Sequence, residues 1–238
     1  MQTEGFVGRV RLGLLELSSA GSAELGARLT CLTLLLSPIG DWYIRPIVLC
    51  LSAAGLLFRS LWRSRWLWLG LAVLTNLRAL LDWPLADNHA YLLGYWCLAV
   101  AIATWYRDLA PLSRNARLLI GLTFAFAAWQ KWTTPNYTQD VFFLTTFLLD
   151  QALVAGAFLV PPTFWLGRVR NGLLILFCFV TYAVAPVASF GWLLLSMGIT
   201  QSSNSLSIRL WYLIAFAAVI FYYEVPWARV LVDLLGAE

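Results

Sequence analysis

Charge is scarce in this chain, and the cations that can give up a proton are the scarcest. Charged residues make up 12% of the sequence, with one histidine (His89) and one lysine (Lys131); the other fifteen cations are arginine. Arginine stays protonated, whereas lysine and histidine can be neutralised and used as bases. A lone histidine argues against a Cys/His metal centre, and none of Cys31, Cys50, Cys97 and Cys178 has a CxxC partner or a histidine at ligand spacing. All four lie in apolar runs, where buried thiols are expected, and no metal is expected. No low-complexity or Pro/Gly/Ser-rich linker interrupts the chain, so a single domain over 1–238 is expected. The net charge of +4 and pI near 9.0 do not point to nucleic acid, because the arginines flank apolar runs and form no stripe.

What is abundant is apolar surface. The chain is 61% hydrophobic with a mean hydropathy of +0.76, against about 45–50% apolar and about 25% charged for an ordinary soluble domain. The expected class is an all-α integral membrane protein, a bundle of about eight transmembrane helices within 22–224, in the inner membrane of a bacterium, with membrane lipids as its surroundings. Candidate spans of roughly the 17–25 residues needed run over 22–38, 42–58, 65–82, 90–106, 116–133, 141–160, 171–197 and 206–224. The first two are short enough to be a tilted or re-entrant pair. Residues 1–20 carry Glu4, Arg9, Arg11 and Glu16 among Phe6, Val7, Val10, Leu14, Leu15 and Leu17 at helical spacing. This pattern predicts an interfacial amphipathic helix, not a cleavable signal.

Short cytoplasmic loops are enriched in Lys and Arg. Alternate flanks carry twelve cations (Arg9, Arg11, Arg28, Arg59, Arg63, Arg65, Arg107, Arg114, Arg117, Arg168, Arg170, Arg229) against three (Arg45, Lys131, Arg209). That alternation predicts an even span count with both termini cytoplasmic, and His89 and Lys131 together at the outer face. Arg78 falls inside the third span, with Asp82 at i+4. It reads either as a helical ion pair at the interface or as a cation lining a pocket with His89. Of the thirteen tryptophans, Trp42, Trp83, Trp105, Trp132 and Trp165 fall near span ends as an aromatic belt. Trp96 and Trp129 lie further in and either pack or stack on an aromatic ligand, with packing favoured.

Lys131 closes the run Leu118–Trp132, whose only other polar groups are Thr123 and Gln130, and Trp129 and Trp132 flank it. Apolar surroundings disfavour the charged amine and lower its pKa, and a neutral amine can abstract a proton or act as a nucleophile. His89 is either an interface histidine bonded to a loop carbonyl or a hydrogen-bonding group beside a reacting centre, held by Asn88 or Asp87.

The run Asn88-His89-Ala90-Tyr91-Leu92, followed by Phe126-Ala127-Ala128-Trp129-Gln130-Lys131-Trp132, resembles the transmembrane domain of vitamin K-dependent gamma-carboxylase and the related bacterial HTTM (horizontally transferred transmembrane) proteins. Asn88, His89, Tyr91 and Leu92 match the first family element; Phe126, Ala127, Lys131 and Trp132 match the second. The resemblance covers about half of the chain. It implies that Lys131 is the base that deprotonates a hydroquinone and that His89 supports the quinone oxygen, making quinone or hydroquinone the cofactor class. Two departures, the lack of a large lumenal domain here and Gln130 in place of a basic residue, argue against peptide carboxylation.

The leading expectation is therefore a protein that binds or acts on a quinol or other aromatic lipid, with Lys131 and His89 catalytic and Asn88, Arg78, Trp96 and Trp129 binding. The alternative is a non-catalytic subunit of a larger respiratory or photosynthetic membrane complex, packed against other membrane-protein subunits. A transporter ranks last, because polar groups inside the spans are too sparse for an ion path.

Overall fold

The computed structural model describes residues 21–37, 43–58, 60–82, 88–133, 141–161, 165–184, 188–202 and 205–224. Among them are nine α-helices: α1 (Ser22–Leu36), α2 (Arg45–Leu57), α3 (Arg65–Leu81), α4 (Asn88–Trp105), α5 (Ala110–Thr133), α6 (Val141–Leu159), α7 (Trp165–Val184), α8 (Ala188–Gln201) and α9 (Leu206–Glu224). A single 3-10 turn (Leu61–Arg63) precedes α3. The expected amphipathic helix over 1–20 lies outside the described residues.

Local chemistry sets several of the boundaries. Pro46 stands in the first turn of α2, where its missing N–H leaves nothing unpaired. Ser64 caps α3, its Oγ accepting from the Leu67 amide at 3.4 Å. Asp108 caps α5 by accepting from the Ala110 amide at 2.9 Å. At the end of α4, the Arg107 amide donates to the Thr104 carbonyl and the Asp108 amide to the Ala103 carbonyl. This is a Schellman closure with Arg107 in the left-handed position at φ 55°.

Helix α8 is the hub. It packs against α1, α4, α5, α7 and α9, and every residue from 191 to 200 is buried, as an all-round apolar helix requires. Its seam with α1 is close because Gly26 of α1 lies against Thr200 and the Ser196 carbonyl. Polar side chains pin this seam: Thr33 Oγ1 and Ser196 Oγ are 3.3 Å apart. Trp96 of α4 reaches across with its Nε1 donating to Thr30 Oγ1 at 2.9 Å, and Thr30 Oγ1 itself donates to the Gly26 carbonyl at 2.8 Å. Helices α3 and α4, and α5 and α6, form the other extensive pairings.

The multi-pass membrane expectation is corrected: among the described residues no helix is long and apolar enough to cross a membrane. Composition counts residues and is blind to how they are divided. Here the apolar runs are cut into helices such as α1, α2 and α8, of 15, 13 and 14 residues. At 1.5 Å per residue these are about 20–23 Å long, short of a hydrocarbon core about 30 Å thick. The longest helix, α5, has 24 residues and carries Arg114, Arg117, Gln130 and Lys131.

The expected span 171–197 is two helices, α7 and α8, with Pro186 in the sequence between them. The extra reversal changes the parity of all that follows. The starts of α1, α5, α7 and α9 gather with the end of α8 at one end of the bundle. Arg209 Nε donates to Ser22 Oγ at 3.4 Å, Arg170 Nε to Gln201 Oε1 at 2.7 Å, and Ser113 Oγ to the Gln201 carbonyl at 3.4 Å. Arg209 therefore lies at the arginine-rich end, not with Lys131, and α9 runs away from that end. Among the described residues the helices number nine, so the even count on which that expectation rested does not hold for them.

Candidate functional site

At the opposite end, a cavity of about 500 Å³ opens between the first turns of α4, the second half of α5 and the start of α8. His89, Tyr91 and Tyr95 face it from α4, Thr123, Phe126 and Ala127 from α5, and Phe190 from α8. The wall is apolar and aromatic with few polar groups, and those few are largely tied. Thr123 Oγ1 donates to the Leu119 carbonyl at 2.8 Å, and the Tyr91 hydroxyl donates to the Ala79 carbonyl at 3.3 Å. The pattern is that of a small-molecule site: a concave apolar surface with one or two orienting polar groups.

Lys131 does not line the cavity. It stands four residues beyond Ala127 on α5, hence one turn further along the face that does. Because α4 and α5 are successive, antiparallel and packed together, the first turn of α4 and the last turn of α5 share an end. His89 and Lys131 are thus brought to the same end of the bundle, with the histidine in the wall and the lysine at the rim. The lysine is half-buried, and desolvation lowers its pKa below the ordinary lysine value, the direction a base requires.

The other expected site residues divide. Asn88 opens α4. Arg78 pairs with Asp82 at 2.7 Å, the anticipated i,i+4 ion pair, and neither residue is in the cavity wall. Trp96 is fully buried and bonded to Thr30 in the core, so it packs and presents no face to the cavity. Trp129 is 68% exposed on the outside of α5. Tyr91, Tyr95, Phe126 and Phe190 are the aromatic groups at the cavity instead. The i,i+4 spacings Tyr91–Tyr95 and Leu122–Phe126 were the available signal for those on α4 and α5; Phe190 had none. Of the cysteines, Cys31, Cys97 and Cys178 are buried and Cys50 is exposed. Burial pushes the Cys31 and Cys178 thiols up to about 12, which makes them inert at neutral pH.

A buried polar network at the arginine-rich end was not legible in the sequence. Gln201 Nε2 donates to Asn171 Oδ1 at 2.6 Å, and its Oε1 accepts from Arg170 Nε at 2.7 Å. The Tyr212 hydroxyl donates to Asn171 Oδ1 at 3.0 Å. Burial drives the Tyr212 hydroxyl pKa strongly upward, so it remains a neutral donor. Gln201 is the junction of α7, α8 and α9. Gln201→Leu leaves Arg170 Nε without its acceptor, at about 1–3 kcal/mol for an unsatisfied buried group, and removes one of the two donors to Asn171 Oδ1, at about 1 kcal/mol. The expected result is a loss of about 2–3 kcal/mol in denaturant unfolding, with Tyr212→Phe losing about 1 kcal/mol. A Gln201→Leu midpoint equal to that of the parent would show the network to be dispensable.

Comparison with protein-family models, curated proteins and solved structures finds no match for this chain. The likeness to the carboxylase family thus rests on its motif residues alone, and the site has to be read from its own geometry.

Proposed function

We propose that the cavity binds an aromatic, lipid-like molecule of the quinol class, with His89 hydrogen-bonding its ring oxygen and Lys131 accepting the hydroxyl proton. The observation that carries this reading is the His89 cavity itself. An apolar, aromatic-walled space of about 500 Å³ suits a substituted ring, and a histidine in its wall with a partly desolvated lysine one turn away supplies the polar handle. In the reaction step, the quinol O–H bond breaks, the proton passes to Lys131 Nζ and a quinolate remains; a quinolate gives up electrons to dioxygen more readily than the quinol does.

The test is direct binding of a short-chain benzoquinol by calorimetry. Ala127→Trp fills the cavity from its α5 wall and is expected to abolish binding while the helical circular dichroism is retained. Parent-like affinity in that variant would rule out this cavity as the site. A second reading, a non-catalytic subunit covered by partner chains, is favoured by the exposed rings of Trp129, Trp132, Trp165 and Trp211, each 60–72% exposed. It is supported if no quinol binds and the chain purifies only with partner chains.

A further inference from the structure

A second concave site lies at the opposite end of α4 and is built from arginine. Arg63, Ser64, Arg65, Thr104, Arg107 and Leu109 line a cavity of about 540 Å³ between the first turn of α3 and the α4–α5 connection. Among the described residues none of the three arginines pairs with a carboxylate. The nearest carboxylate in sequence, Asp108, accepts from the Ala110 amide at 2.9 Å and does not line the cavity.

Two of the three guanidiniums, those of Arg63 and Arg65, rest on indole rings. The Arg65 guanidinium carbon lies 5.3 Å from the centroid of Trp66 and 4.7 Å from that of Trp105, and those rings meet edge to face at 5.5 Å. The Arg63 guanidinium carbon lies 4.9 Å from the ring centroid of Trp62, a buried residue whose backbone carbonyl accepts from Trp68 Nε1 at 2.7 Å. A guanidinium resting on indole rings makes no hydrogen bond to them and keeps its N–H donors for a second partner, and an ordered fork loses less entropy on binding. The start of α3 adds the positive end of a helix dipole and unpaired backbone donors.

Arg107 adds an independent sign. It occupies the left-handed C′ position that glycine fills in most Schellman closures, at φ 55°. A bulky side chain is disfavoured there, and such outliers cluster at functional sites. Helix closure alone gives no reason for arginine; a side chain facing the cavity does.

We infer that this cavity binds a phosphate-class anion, the phosphate or phosphate ester of a ligand whose apolar part lies on the exposed rings of Trp66, Trp105 and Tyr106. Two sources carry that chemistry, a free phosphate compound and a phospholipid headgroup. The full chain is titrated with inorganic phosphate by calorimetry and, separately, cosedimented with phosphatidylglycerol and with phosphatidylcholine vesicles. Saturable phosphate binding identifies a free compound; binding to phosphatidylglycerol vesicles alone identifies a headgroup. In either case Arg65→Gln is expected to weaken binding about tenfold or more, as loss of one charge-assisted contact does. Arg45→Gln, which removes the same charge outside the cavity, is expected to leave binding unchanged.

Arg107→Gly separates this from a structural role. It is expected to raise the melting temperature by about 2–4 °C through relief of the left-handed arginine while weakening anion binding about tenfold. No binding of either probe, or binding that Arg65→Gln and Arg107→Gly leave untouched, overturns the inference.

Discussion

Gly26→Val is expected to lower the stability of this chain by about 3 kcal/mol or more, the upper range for overpacking. A Cβ at residue 26 meets Thr200 Oγ1, lies 2.8 Å from the Ser196 carbonyl and 3.0 Å from Thr200 Cβ. The carbonyl is backbone of the central helix and cannot rotate away, so α1 and α8 must separate. Separation also loosens the Thr33–Ser196 contact and the Trp96–Thr30 hydrogen bond that depend on the same seam. For a chain of this size the melting temperature should fall by roughly 6–12 °C. Gly172 is the control. It too lies inside a helix, but a Cβ there meets nothing within 4 Å, so Gly172→Ala should gain about 0.5–1 kcal/mol from helix propensity alone. If both variants melt alike, the close α1–α8 approach is not a source of stability.

The same seam shows what the sequence could and could not disclose. Gly26 in α1 reads as a propensity cost of about 1 kcal/mol, and nothing local says which helix it must approach. Apolar runs located α1 to α6 and α9 to within a few residues, except that α5 begins six residues earlier than expected, because a leucine- and alanine-rich stretch bounded by polar residues is a helix in most settings. They failed at 171–197, where two helices share one run and Pro186 was the overlooked mark of the break. That miss reversed the side assigned to Arg209. Membrane crossing was misread for a related reason: apolar content is a sum, while crossing demands that enough of it fall in one uninterrupted helix.

The candidate sites were legible in proportion to how rare their residues are. His89 and Lys131 stood out as the only members of their types, and the structure brings them to one end. Arg63, Arg65 and Arg107 were submerged among fifteen arginines and read as loop flanks, because only the fold turns the α4–α5 connection back over the start of α3. Gln201 carried no signal at all, since its partners lie 30, 31 and 11 residues away in sequence.

Lys131→Ala is expected to lower quinol-dependent oxygen consumption by about 10²–10⁴-fold, the usual contribution of a positioned general base, while quinol affinity changes little because the lysine is at the rim and not in the cavity wall. Lys131→Arg should be equally inactive, since a guanidinium keeps its proton at any working pH. The parent rate should rise with pH and level off above the pKa of Lys131, which desolvation holds below the ordinary lysine value. Stability should move in the same sense. Below the folded-state pKa the amine is charged in both folded and unfolded chains, and the cost of partly burying it is fully present. Between the folded and unfolded values the unfolded chain binds more protons, so stability rises with pH across that window. The substitution Lys131→Ala should flatten both curves, and this joint loss distinguishes a titrating base from a surface lysine that merely packs. A folded Lys131→Ala protein that oxidises quinol at the parent rate, with an unchanged pH profile, would remove the lysine from the chemistry and leave the cavity as a binding site alone.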